Sequence, residues 1–191
     1  MKKQMICISG NIAVGKTEVA SKLADTLGYD LYKASMSFRE MAREKNMDLV
    51  LFNEYVKQNP DIDYAIENKT KEVVENKEKL VVDARLGFYI EPKAFKVYMV
   101  ADINVAAERL YEASKSRGKE EKYTDVSAAK AAIELREGSE RDRYMRLYNI
   151  DVHNMDNYDY VIDTTDLTSD EVVVKIINAY NVWKEVNFGE G

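Results

Sequence analysis

Residues 10–17 read GNIAVGKT, and their types and spacing fit the phosphate-loop pattern G-x-x-x-x-G-K-[ST] in full, with Gly10, Gly15, Lys16 and Thr17 at the fixed positions. Each type has a chemical reason. Glycines let the backbone take a positive φ and come close to a ligand. Successive N–H groups, Asn11 and Ala13 among them, then curve round an anion, backed by the positive end of the next helix. Lys16 adds a point charge for the β- and γ-phosphates, and the Thr17 hydroxyl is a ligand for Mg²⁺. The ligand implied is a nucleoside triphosphate.

A phosphotransferase needs further cations, because the transferred group carries charge on its equatorial oxygens. The segment REGSERDRYMR supplies Arg136, Arg141, Arg143 and Arg146. Its acids, Glu137, Glu140 and Asp142, allow the alternative of a solvated, salt-bridged helix face. The acceptor's chemistry selects the remaining residues. A nucleoside monophosphate brings an ionised nucleophile and needs a second anion site, for which Arg39 and Arg85 are suited by bidentate guanidinium geometry. An alcohol acceptor needs a carboxylate base instead, and Asp83 is the candidate. Asp83 could equally hold Mg²⁺ through water. A GTPase reading is weak, since the Asn-Lys pairs in NKTK and NKEK lack the aspartate of N-K-x-D.

The elements that must position these groups follow from periodicity. QMICIS is a short apolar run that reads as a buried strand, and TEVASKLADTLG is a helix with Val19, Leu23 and Leu27 on one face and Gly28 as its cap. DLYKA reads as a second strand. Ser37 and Glu40 have the spacing of a capping box, as do Thr168 and Glu171 before the last helix. Two further helices meet at Pro60, and Asp63 beyond it could cap the second or reach a nucleobase amino group. KLVVDARLG, AFKVYMVAD and YDYVID complete the strands. An amphipathic helix spans 104–118, and an arginine-rich one is expected to break at Gly138. This alternation predicts a five-stranded parallel sheet with helices on both faces, and ligands beyond the carboxyl ends of its strands.

The residues GNIAVGKT, SFREMA, NPDIDYAIENKT, VVDARLG and REGSERDRYMRLYNIDVHNMDNYDYVIDTT resemble the short, type 2 cytidylate kinases of the nucleoside monophosphate kinase family. The resemblance runs over most of the chain. It implies one P-loop domain over 1–191, a three-layer α/β sandwich with a helical acceptor-binding insertion at 36–76 and a lid at 118–147. It implies ATP and Mg²⁺ on the donor side and CMP or dCMP as acceptor. Arg39 and Arg85, beside Phe38, would hold the acceptor phosphate, and Arg136 and Arg143 the transferring one. Lys33 and Ser35 stand where the family often has Ser and Gly, and Asp-Ala-Arg-Leu stands for Asp-Gly-Arg-Asp. GNIAVGKT also resembles deoxynucleoside kinases, which leaves a nucleoside 5′-hydroxyl as the alternative acceptor and a non-catalytic nucleotide switch as a third reading.

Composition narrows the class. The 191 residues are 46% hydrophobic and 32% charged, ordinary for a water-soluble domain. The net charge of −6 opposes nucleic acid as a partner, since phosphate backbones want a basic face. No stretch is long enough to span a membrane. The N-terminal apolar run leads straight into the phosphate loop and reads as strand, not targeting. The single cysteine, Cys7, fits a core position and a reducing cytoplasm. His153, in a polar stretch, reads as a surface residue. Tyr144 and Tyr148 read as packing, and Trp183 as core or interface. The oligomeric state is left unassigned.

Overall fold

The structure is a computed structural model that describes residues 3–47, 49–116 and 122–189. Among the described residues five strands form one parallel sheet in the order β2-β3-β1-β4-β5, with β1 at Gln4–Gly10, β2 at Asp30–Lys33, β3 at Lys79–Asp83, β4 at Phe95–Val100 and β5 at Tyr160–Asp163. The central strands are apolar because both faces are covered, as parallel sheets require. Ile6, Ile8, Val81, Val97 and Met99 face α1 (Lys16–Leu27) and α8 (Ser169–Phe188). On the other face Met5, Cys7, Leu80 and Val82 form a separate buried cluster. Cys7 is a core residue, and burial pushes its thiol well above the usual range. Trp183 packs on the core, its ring 5.6 Å from Phe95.

Three helices lie between β2 and β3: α2 (Ala34–Glu44), α3 (Leu49–Gln58) and α4 (Asp61–Glu75). They carry their own small core, in which Phe52 and Val56 are fully buried. The Ser37–Glu40 capping box is not formed. β2 passes into α2 without a loop, Lys33 occupies the N-cap, and Ser37 is buried inside the helix. Nor does Asp63 cap α4; Pro60 holds that position and Asp63 lies within the first turn. The Thr168–Glu171 box at the start of α8 does form.

After β3 come the single turn α5 (Gly87–Ile90), then β4, α6 (Ile103–Ser116) and α7 (Val126–Tyr148). Helix α7 runs through Gly138 without a break. A glycine there costs about 1 kcal/mol relative to alanine, and packing on both sides outweighs it. Ala129 and Ile133 pack on Ala106, Ala107 and Leu110 of α6, while Tyr144 packs on Leu86 and Phe88. Of the expected lid, 118–121 lie outside the described residues, and most of the rest is this helix. His153 is only partly at the surface. Its ring is half-buried against Tyr98, with Nδ1 2.7 Å from the hydroxyl, and burial, with Arg85 adding, lowers its pKa.

Candidate active site

The phosphate loop joins β1 to α1 at the carboxyl edge of the sheet. Gly10 sits where β1 passes β4 with φ 144°, and a Cβ built there would lie 2.2 Å from the Met99 carbonyl oxygen. No side chain fits. The loop then turns through Ala13 (φ 62°) and Gly15 (φ 85°), left-handed positions that bring successive N–H groups round a concavity. Lys16 opens α1, and its ammonium is folded back onto the carbonyls of Gly10, at 3.0 Å, and Asn11. Burial lowers the Lys16 pKa to about 7, with Arg85 adding to the effect and Asp83, Glu140 and Glu137 opposing it. Beside it the Thr17 hydroxyl donates to Asp83 at 3.0 Å. The register of β3 against β1, with Asp83 opposite Ile8, delivers that carboxylate to the loop.

Helix α7 supplies the charges around this loop. Glu137 accepts from the Ile12 N–H at 2.7 Å and from the Asn11 amide at 3.0 and 3.1 Å. Glu140 pairs with Arg85 at 2.8 Å, and Arg85 also donates to the Gly10 carbonyl. Burial pushes Glu140 up, but Arg85, Arg136 and Arg143 outweigh it and hold its carboxyl below the usual range. One turn further along, Arg143 meets Asp63 of α4 at 3.2 Å, both side chains buried. Burial draws the Asp63 carboxyl upward against the pull of Arg143. On the same face of α4, Glu67 is pushed up to about 8 by burial, with the negative charge of Asp63 adding.

Two cavities meet at the loop. The first reaches from Lys16 and Thr17 to α2, α4 and α7, and Phe38, Arg39, Asp63, Asp83, Arg85 and Arg143 all line it. The second lies on the outer side of the loop, against Ala13, Gly15, Glu18 and Arg109. Both are lined by Ile12, Lys16, Thr17, Arg39 and Arg136. Arg143 lines the first only. Gly10 and Asn11 act through the backbone and through the bonds to Lys16, Arg85 and Glu137. Lys33, where the family often has serine, bonds Ser21 of α1 at 2.9 Å, and Ser35 lines the first cavity.

Several residues here carry weight that the sequence did not reveal. Arg109 donates to the carbonyls of Thr164 and Thr165 at 2.8 and 3.0 Å, closing one side of the second cavity. Glu137 and Glu140 read as counter-charges, yet they are the contacts that bring α7 to the loop. Glu67 follows Asp63 by four residues, one helical turn, and that spacing was the available signal. Among the described residues no group of three or more His, Cys, Asp or Glu side chains is placed to hold a metal ion.

A parallel sheet in this order, a phosphate loop on its first strand and two cavities joined at the loop lysine define a P-loop kinase. Residues 5–166 match the cytidylate kinase-like family, and the chain belongs to it. A cytidylate kinase of Archaeoglobus fulgidus is 34% identical over 180 residues, covering 94% of this chain and 96% of the relative. One from Thermoplasma acidophilum is 33% identical over 177 residues, covering 91% and 90%. Among solved structures, a gluconokinase from Sinorhizobium meliloti aligns with a TM-score of 0.62 at 15% identity, over 97% of this chain and 95% of that one, which supports the fold alone. The chain is accordingly a nucleoside monophosphate kinase. No helix among the described residues is long and apolar enough to cross a membrane.

Proposed function

We propose that the chain transfers the γ-phosphoryl group of ATP to CMP or dCMP, giving ADP and CDP or dCDP. The observation that carries this reading is the pair of cavities sharing Lys16, Thr17, Arg39 and Arg136. A donor in the second and an acceptor in the first would bring their phosphates to one cation-lined point. The acceptor's phosphate oxygen, already ionised, attacks the γ-phosphorus as the bond to the bridging oxygen breaks, and the electron pair leaves with ADP. No general base is needed. Lys16, released from Gly10 and Asn11, and Arg136 would meet the charge of the transferring group. Arg39 and Arg85 would hold the acceptor phosphate, with Arg85 exchanging its present partners for it. Residues 36–76 would form the acceptor-binding insertion, and 118–147, of which 118–121 lie outside the described residues, the lid.

Thr17 and Asp83 offer adjacent hard oxygens, a donor set that suits Mg²⁺ held mainly by substrate phosphates. Bound there, the ion would supply charge neutralisation across the donor phosphates. Coupled ADP release, measured with ATP and Mg²⁺ across nucleosides and nucleoside monophosphates, tests the proposal. Turnover stimulated most by CMP or dCMP is the expected result. Turnover on deoxynucleosides with none on monophosphates would overturn it, and ATP consumption that no acceptor stimulates would point to the switch reading.

A further inference from the structure

Ile12 of the phosphate loop is tied to α7 twice. Its side chain packs with Ala129 and Ile133 of α7 and with Ala106, Ala107 and Leu110 of α6. Its N–H donates to Glu137 at 2.7 Å, and Glu137 lies one helical turn beyond Ile133 on the same face. The Glu137 carboxylate also accepts from the side-chain amide of Asn11, at 3.1 and 3.0 Å through its two oxygens. Asn11 is held from the strand side as well, its N–H donating to the Met99 carbonyl at 3.0 Å, and its own carbonyl accepts from Lys16. The first half of the loop is thus gripped between β4 and α7. Glu137 lines neither of the two cavities, whereas Arg136, the residue before it, lines both.

Resting on the reading of Arg136 as a cation that meets the transferring group, we propose that Glu137 is a positioning residue for phosphoryl transfer. Its grip on Asn11 and Ile12 sets the register of α7 against the phosphate loop, and so places Arg136 where the donor and acceptor phosphates meet. Successive residues point about 100° apart around a helix, so a helix fixed at Ile133 and Glu137 presents residue 136 in one direction. The apolar contact at Ile133 cannot set that direction alone, because burial of apolar surface is non-directional and leaves the helix free to roll or slide. A carboxylate bonded to a backbone N–H and to a side-chain amide is directional. The neighbouring ties do not last through the reaction. Glu140 pairs with Arg85 at 2.8 Å, and in the proposed transfer Arg85 exchanges that partner for the acceptor phosphate. Lys16 likewise leaves the Asn11 carbonyl for the donor. Glu137, outside both cavities, keeps its bonds. The tie that persists is the one beside Arg136, and it joins that cation to the loop that holds the donor.

The test measures single-turnover transfer from ATP, with Mg²⁺, to the monophosphate that the wild type turns over fastest, together with calorimetric Kd values for each nucleotide. The proteins are wild type, Glu137→Ala, Glu137→Gln, Arg136→Met and the double variant Arg136→Met with Glu137→Ala. Glu137→Ala should slow transfer by roughly ten- to a hundred-fold, the cost of a misplacement of about 1 Å, while both Kd values hold. Glutamine keeps an acceptor for the Ile12 N–H, so Glu137→Gln should lose clearly less, a rescue that loss of charge alone does not allow. Arg136→Met should slow transfer by about 10²–10³-fold. Adding Glu137→Ala to it should change the rate by no more than about two-fold, the scatter seen for independent sites. Four results would overturn the assignment: an unchanged rate in Glu137→Ala, equal losses in Glu137→Ala and Glu137→Gln, losses that multiply in the double variant, or tighter ATP binding in Glu137→Ala, the mark of a carboxylate that competes with phosphate. An Arg136→Met enzyme as fast as wild type would overturn the reading of Arg136 and this proposal with it.

Discussion

The two ends of the first cavity are built on opposite plans. At the phosphate end the groups are mostly backbone N–H and carbonyls from eight consecutive residues, and their geometry follows from Gly10, Ala13 and Gly15 holding positive φ. At the far end every polar group is a side chain, brought from α2, α4 and α7, and the central contact is the buried pair Asp63–Arg143. A backbone cradle tolerates any polyphosphate, because it reads charge and curvature. A set of buried side chains has no such tolerance, and it depends on distant helices holding register. The phosphate end is thus a local element and the far end a tertiary one.

The sharpest way to break the far end is to remove Arg143. Arg143→Met leaves Asp63 and Glu67 buried together without a cation, and unpairing a buried ion pair costs about 3–5 kcal/mol. Thermal unfolding should show it as a large drop in Tm. The double variant Asp63→Asn with Arg143→Met should recover a good part of that loss. A drop no larger than that of an exposed arginine variant would mean the pair contributes little, and the contrast between the ends would weaken.

At the phosphate end the matching change is Lys16→Ala. It should lower kcat by about 10²–10³-fold, the size of losing one electrostatic group at the developing charge, while Tm moves little. A titration accompanies it. With its pKa depressed to about 7, Lys16 is largely neutral at pH 8 in the free protein, whereas the unfolded chain would carry the proton. Its contribution therefore makes folding stability rise with pH between about 7 and the ordinary lysine value near 10. ATP restores the charge, so binding at pH 8 should take up close to one proton. Calorimetry in buffers of different ionisation enthalpy would measure this, and Lys16→Met should abolish it.

A smaller effect tests the junction of the two ends. Arg39→Ala should reduce kcat/KM for CMP by roughly ten- to a hundred-fold, corresponding to about 1.5–3 kcal/mol for a charge-assisted hydrogen bond. Any residual activity on cytidine should not change, since a nucleoside has no acceptor phosphate to hold. The smallest expected change lies away from both ends. Thr168→Ala removes the reciprocal cap of α8 and should cost about 1 kcal/mol, visible in Tm, with kcat and KM for CMP unchanged. Altered kinetics there would mean that the cavity ends are coupled to the whole scaffold.

How much of this was legible in the sequence follows the same division. The strands, their parallel arrangement and the cap at Thr168 could be read from periodicity and spacing, because each depends on contacts within a few residues or on a pattern repeated along one element. The failures were also local readings. Ser37–Glu40 has the spacing of a cap, but the direct passage of β2 into α2 puts Ser37 inside the helix. Gly138 has the look of a break, but packing on α6 at one end and on Leu86 and Phe88 at the other keeps α7 continuous. His153 sits among polar neighbours in the chain, and its true neighbour is Tyr98 of β4.

The sequence by itself determined the phosphate loop and the sheet that presents it, since eight contiguous residues with two glycines and a lysine leave the backbone little choice. Tertiary structure alone decided what surrounds that loop. Glu137 reaches Asn11 across 126 positions, Arg143 finds Asp63 on another helix, and Glu67 is driven toward neutrality only because those helices close over it. Charge, burial and partner at each of these positions are properties of the packed chain, because a carboxylate in an isolated helix faces water and a carboxylate between two helices faces whatever the fold has placed there.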